Sequence, residues 1–194
     1  MQNRSPWPLR IALAIGVVAV AALVVPRSWI ESRVGDAQAV TSENSAADTT
    51  AQVRALVFPD LEGTDHALAD ALENGPVILD FWATWCAPCK KAMPAYAALQ
   101  KKYADEGLQL WAVSWDRGKA TAKIPGYFET KGFEFPALLD PDQEHGRALG
   151  VRMLPTTFLI APDGSIAWKH TGYASGDEVE LEQMVRTLLR GDAR

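Results

Sequence analysis

Asp80-Phe81-Trp82-Ala83-Thr84-Trp85-Cys86-Ala87-Pro88-Cys89-Lys90-Lys91 holds both cysteines of the chain in a single C-x-x-C. The apolar, β-branched run Val77-Ile78-Leu79 leads into it, and Met93, Tyr96, Ala97, Leu99, Gln100 and Tyr103 leave it at helical spacing. The stretch reads as strand, tight turn, helix. Cys86 then falls at or just before the first helical turn, where unpaired N–H groups and the positive end of the helix dipole favour a thiolate over a thiol. Cys86 is the expected nucleophile. Pro88 suits a helix start, because its missing N–H is not needed there, and Cys89 faces inward one turn on as the resolving thiol.

Other uses of the motif fare worse. A structural zinc site needs two more ligands, but the chain has no other cysteine, and His66, His145 and His170 lack the spacing of a ligand pair. A c-type haem site needs His directly after the second cysteine, where Lys90 stands. A disulfide across two intervening residues closes too short a loop to stabilise much. Redox cycling is the strongest reading, with no metal and no cofactor expected.

Phe81 to Lys91, with Met153-Leu154-Pro155-Thr156-Thr157-Phe158-Leu159-Ile160 downstream, resembles a thioredoxin-fold protein. More narrowly it resembles the membrane-tethered TlpA-like thiol-disulfide reductases, a group that includes the ResA and CcmG (DsbE) proteins of cytochrome c maturation. The likeness covers roughly residues 53–190. It implies an α/β fold with a central mixed sheet flanked by helices, and a cis peptide at Leu154-Pro155 opposite Cys86. That peptide would hold a backbone edge open to an incoming polypeptide. Trp85, Ala87, Pro88, Leu154 and Thr156 would then meet substrate, with Trp82 and Trp85 shaping an apolar rim. One feature departs from the pattern: ResA- and CcmG-type proteins carry Glu three residues after the second cysteine, where this chain has Ala92. Either Asp80 does that work or the substrate differs.

Asp80 is the one ionisable side chain in the strand before the motif, amid Ile78, Leu79, Phe81 and Trp82. Such surroundings desolvate a carboxylate and raise its pKa, as a proton shuttle for Cys89 requires. It also matches the buried acid of cytoplasmic thioredoxins; a hydrogen-bonded structural Asp is the alternative. Cys86, Cys89, Asp80 and Pro155 are thus the candidate catalytic residues. Lys90 and Lys91 stand near enough to favour the thiolate.

Hydrophobic residues make up 48% of the chain and charged ones 22%, which suits a protein able to bury a core. Residues 1–52 hold four basic and four acidic side chains, so the net charge of −5 resides wholly beyond them. A mildly acidic domain without a basic run gives no reason to expect nucleic-acid binding.

Ile11 to Val25 is an unbroken apolar run closed by Pro26-Arg27. With Leu9 counted and Arg10 snorkelling, residues 9–25 reach the short end of what crosses a bilayer. Trp7 and Trp29 would lie about 33 Å apart in a helix, a fitting separation for two interfacial belts. The competing reading is a cleaved secretory signal, but the A-x-A stretch Ala37-Gln38-Ala39 lies too far downstream. We expect an uncleaved anchor after a short cytoplasmic 1–8. It would put the catalytic domain in the periplasm of a bacterium, facing an oxidising compartment. Residues 26–52, poor in large apolar side chains, read as a flexible tether, and 53–194 as the thioredoxin-like domain.

Within that domain, strands around 55–57 and 66–68 suggest an N-terminal β-hairpin extension, followed by a short helix at 69–72. Further strands are expected at 77–82, 108–114, 133–139 and 157–160. The turn Pro162-Asp163-Gly164-Ser165 leads to another at 166–170. Helices are expected at 120–131, started or interrupted by Pro125, and at 178–190, with a shorter one closing at Leu149. The loops 115–119 and 172–176 border the site or simply pack.

The resulting expectation is a thiol:disulfide oxidoreductase acting as a reductase of protein disulfides. A membrane thiol relay of the DsbD or CcdA kind would supply its electrons, and apocytochrome c or copper-site assembly proteins would be its substrates. An oxidising enzyme and a copper-holding chaperone are the rivals. A thiol peroxidase would need Pro at position 79 and Thr or Ser at 83, where Leu79 and Ala83 stand.

Overall fold

The computed structural model describes residues 48–191. The short N-terminus, the apolar span and most of the 26–52 tether lie outside them. The described chain opens on a helix at residues 48–54 (α1), which enters the stretch that reads as tether. Its reason is tertiary: Val53 is fully buried, and the Arg54 guanidinium donates to the Pro162 carbonyl at 3.0 Å. Composition does not register such distant contacts, which hold most helices in place.

β1 (Val57–Pro59) and β2 (Asp65–Ala67) form the expected antiparallel hairpin, displaced by a residue or two from the sequence expectation. Asp60 Oδ1 accepts the N–H groups of Glu62 at 2.9 Å and Thr64 at 2.8 Å, which fixes the turn and so the register. α2 (Leu68–Leu72) follows, then β3 (Val77–Trp82), α3 (Ala87–Tyr103) and β4 (Gln109–Ser114). The 120–131 segment divides at Pro125's turn into a 3₁₀ piece, Gly118–Lys123, and α4 (Ile124–Lys131). The extended reading of 133–139 narrows to β5 (Ala137–Leu139). α5 (Glu144–Ala148), β6 (Thr156–Ile160), β7 (Ile166–Thr171) and α6 (Asp177–Leu189) complete the chain.

The main sheet has five strands in the order β5-β4-β3-β6-β7. β3 is parallel to β4 and antiparallel to β6, so strand-helix-strand crosses over on one side and the β6-β7 hairpin closes the other. Every residue of β3 is buried, as a central strand covered on both faces demands. Val77, Leu79 and Phe81 pack with Phe58, Leu68 and Leu72, whereas Ile78 meets Tyr96, Leu99 and Leu181 from the helices opposite.

Two local features mark the interior of α3 and the starts of the strands. Pro94 lies inside α3 and cannot donate to the carbonyl of Lys90; the Tyr127 hydroxyl approaches that oxygen instead, at 3.5 Å. Gly75 and Gly107, in the turns leading into β3 and β4, take φ of +141° and +92°. A Cβ on Gly107 would sit 2.4 Å from the Asn74 carbonyl oxygen, so these turns touch backbone to backbone. Among the described residues no helix is long and apolar enough to cross a membrane.

Candidate active site

The turn after β3 delivers Cys86 to the N-cap of α3, with φ −84° and ψ 102°, and Pro88 to the first turn. Cys86 Sγ accepts the Cys89 N–H at 3.2 Å, an interaction that favours charge on that sulfur. The two cysteines form a disulfide, their Cα atoms 5.3 Å apart. Cys86 keeps 5% of its surface and Cys89 none. Cys86 is thus nearly closed, yet of the two cysteines it alone keeps exposed surface.

Leu154-Pro155 is cis, and Leu154 packs on the cluster that contains both cysteines. The Pro155 carbonyl accepts the Gly172 N–H at 2.8 Å, which brings the 172–176 loop to the border of the site. Trp85 is 66% exposed and Met153 59%, and Ala87 and Pro88 are also exposed. Two rim expectations are corrected. Trp82 is fully buried beneath the disulfide against Met93, Ile124 and Phe128, because strand alternation turns it inward before the chain leaves the sheet. Thr156 is fully buried too; its hydroxyl donates to the Met153 carbonyl at 2.7 Å and so braces the cis-proline loop from behind.

Asp80 is fully buried. The β3–β6 register sets it opposite Thr157, whose hydroxyl donates to Asp80 Oδ1 at 2.8 Å. The Tyr96 hydroxyl lies 3.3 Å from the same Thr157 oxygen. Since the single threonine proton is committed to Asp80, Tyr96 donates in turn, giving a chain from Tyr96 through Thr157 to the carboxylate. Asp80 Oδ2 has no partner among the described residues. Burial pushes the Asp80 carboxyl up to about 7, against the lowering effect of the Thr157 bond. Burial and the nearby Asp80 charge also raise the phenols of Tyr96 and Tyr127. Position 92, on the buried face of α3, is an alanine, so the helix brings no carboxyl there.

A second acid was missed by sequence reasoning. Asp116, just past β4, is fully buried. Its Oδ2 accepts the Thr84 N–H at 2.8 Å and the Ser114 hydroxyl at 2.9 Å, and its Oδ1 accepts the Thr84 hydroxyl at 2.9 Å. It therefore clamps the turn that carries Trp85 and Cys86. The only sequence signal was a Ser-x-Asp at the end of a strand beside a Thr in the motif.

The sequence profile of the AhpC/TSA family matches residues 43–169, well over half of the chain. The chain belongs to the AhpC/TSA family. Thiol-disulfide oxidoreductase ResA of Geobacillus thermodenitrificans is 33% identical over 139 residues, covering 72% of this chain and 78% of the relative. ResA of Bacillus subtilis is 37% identical over 117 residues, 60% of this chain and 64% of the relative. A Chlorobium tepidum crystal structure described as a thiol:disulfide interchange protein DsbE shares 33% identity with a TM-score of 0.63, over 69% of this chain and 92% of that one. The sheet is thus that of the thioredoxin-like branch of AhpC/TSA proteins, and the chain is a thiol:disulfide oxidoreductase of the thioredoxin superfamily.

Proposed function

We propose that this oxidoreductase is a membrane-anchored reductase of protein disulfides, working in the periplasm of a bacterium and tethered to the inner membrane by residues 9–25. The observation that carries the mechanism is the asymmetry of the pair: one sulfur at a helix N-cap with a trace of exposure, the other sealed behind it on a helix that packs against the Asp80 strand. In the reduced protein the Cys86 thiolate attacks one sulfur of a substrate disulfide. That bond breaks, a mixed disulfide forms, and the first substrate thiolate leaves and takes up a proton. Cys89 then passes its proton to Asp80 and attacks Cys86. The second substrate thiolate leaves, and Cys86–Cys89 is again a disulfide. Two electrons have moved to the substrate, and a partner dithiol must restore them.

A membrane thiol relay of the DsbD or CcdA kind is the donor that this topology suits. Cytochrome c maturation or assembly of an oxidase copper site is the setting we propose, on the motif resemblance to ResA- and CcmG-type proteins and the apolar Ile11–Val25 run. Pro155 holds the substrate strand's docking edge, and Trp85, Ala87, Pro88 and Leu154 meet that strand. Asp80 takes the role that a helix glutamate has elsewhere, since Ala92 has no acid to offer. The reduction potential decides the direction: equilibration with glutathione or dithiothreitol buffers should give a value near that of thioredoxin, about −270 mV. A value near the about −120 mV of a strong oxidant overturns the reductase reading. Cys89→Ser in the intact cell should accumulate mixed disulfides with the physiological substrates.

A further inference from the structure

Segments 84–91, 115–123 and 150–155 ring the disulfide. β3 and β4 run parallel, with Trp82 opposite Ser114, and β6 enters antiparallel, with Thr156 opposite Phe81. The chain therefore leaves β3 and β4, and enters β6, at one edge of the sheet. The Thr84–Asp116 bonds tie the first two segments together, and Leu154 packs the third against the cysteines.

These segments carry Lys90, Lys91, Arg117, Lys119, Lys123 and Arg152, all exposed. Their one acid, Asp116, is buried and occupied with Thr84 and Ser114. Among the described residues none of the six cations enters an ion pair; Arg117 donates instead to the Pro141 carbonyl. So a chain of net charge −5 gathers these six cations on the segments around its reactive sulfur, against an exposed Asp142 beside the Pro141 that Arg117 reaches, with Trp85 and Met153 as exposed apolar surface among them. A potential of that sign steers anionic partners and rejects cationic ones.

We infer that this rim docks a polypeptide segment whose cysteine is flanked by Asp or Glu, with an apolar neighbour seated on Trp85 and Met153. The inference rests on the oxidoreductase reading and names its substrate class. An anionic lipid surface is the other chemistry that six cations could meet, but a bilayer seated there would cap Cys86, the one cysteine of the pair with exposed surface.

The test uses the full chain in detergent and two cystine peptides of equal length, flanked by Glu in one and Lys in the other. At low salt the Glu-flanked peptide should be reduced about tenfold faster, the ratio collapsing toward unity at high salt. K119E/R152E should abolish the preference while leaving reduction of neutral hydroxyethyl disulfide unchanged. Docking is read separately from chemistry by Trp fluorescence with the same peptides carrying Ser for Cys, and the Glu-flanked one should bind about fivefold tighter. Failure of the wild-type chain to reduce hydroxyethyl disulfide, with the binding preference intact, would sink the reductase reading but not the rim. Equal binding and equal rates for the two peptides at low salt overturn the inference. So does a K119E/R152E variant that changes only sedimentation with phosphatidylglycerol vesicles, which would make lipid the occupant.

Discussion

Asp80 and Asp116 both have no accessible surface, and they stand one strand apart at the same end of one sheet. Around Asp116 three donors converge, two from Thr84 and one from Ser114, so that the carboxyl is fixed in place and its geometry transmitted to the Cys86 turn. Around Asp80 a single hydroxyl reaches Oδ1, and Oδ2 meets nothing among the described residues. Burial alone therefore does not define a carboxylate's role. The supply of donors separates them: a fully supplied acid is fixed as a brace, and an undersupplied one is left with an oxygen free to take up a proton.

Asp80→Asn should show the largest effect. The folded protein holds the carboxyl at about 7 against an ordinary 3.8, so the folded state keeps a proton that the unfolded chain has lost. Wild-type stability then falls as pH rises from about 4 through about 7, and at pH about 8 the burial of charge costs on the order of 4 kcal/mol. The Asn variant escapes that cost, so urea titrations should find it more stable than wild type at the higher pH and equal to it at the lower, while resolution of the mixed disulfide slows about a hundredfold. A stability difference that is flat with pH would break the contrast.

Asp116→Ala should move stability the other way at that same alkaline pH. It leaves the Thr84 N–H, the Thr84 hydroxyl and the Ser114 hydroxyl facing a void, a loss of about 3 kcal/mol. If both substitutions have the same sign in thermal or urea unfolding, the two acids are not the opposites described above.

Thr157→Val sharpens the comparison by removing Asp80's one donor. Asp80 should then hold its proton to still higher pH, and the rising limb of the pH–rate profile, which tracks the ionised acid, should move up by about one unit. The shift should vanish in the Asp80→Asn background. A shift that persists there would mean that Thr157 acts on something else.

Sequence reasoning reached Asp80, the cysteines, the central strand and the start of α3 because each is written in a local pattern: an acid in an apolar run, a C-x-x-C, a proline two residues past a cap. It could not reach Thr157 or Tyr96, whose importance comes from the β3–β6 register and from a helix laid across it. Trp82 and Trp85, three residues apart, looked alike in sequence, but the first still obeys the strand's alternation and the second has left it. The helix at 48–54 was hidden for the same reason, since its low apolar content says nothing of Val53 reaching the core.

The contact between Gly75 and Gly107 closes the far corner of the sheet to revision. With a carbonyl 2.4 Å from where any side chain would begin, drift at position 107 has nowhere to go without prying two strands apart. At Gly63, in the hairpin tip, an added carbon meets nothing within 4 Å, although its φ of +85° still favours glycine. Grafted epitopes or spectroscopic labels belong at that tip, as insertions, and never at the corner where the sheet begins.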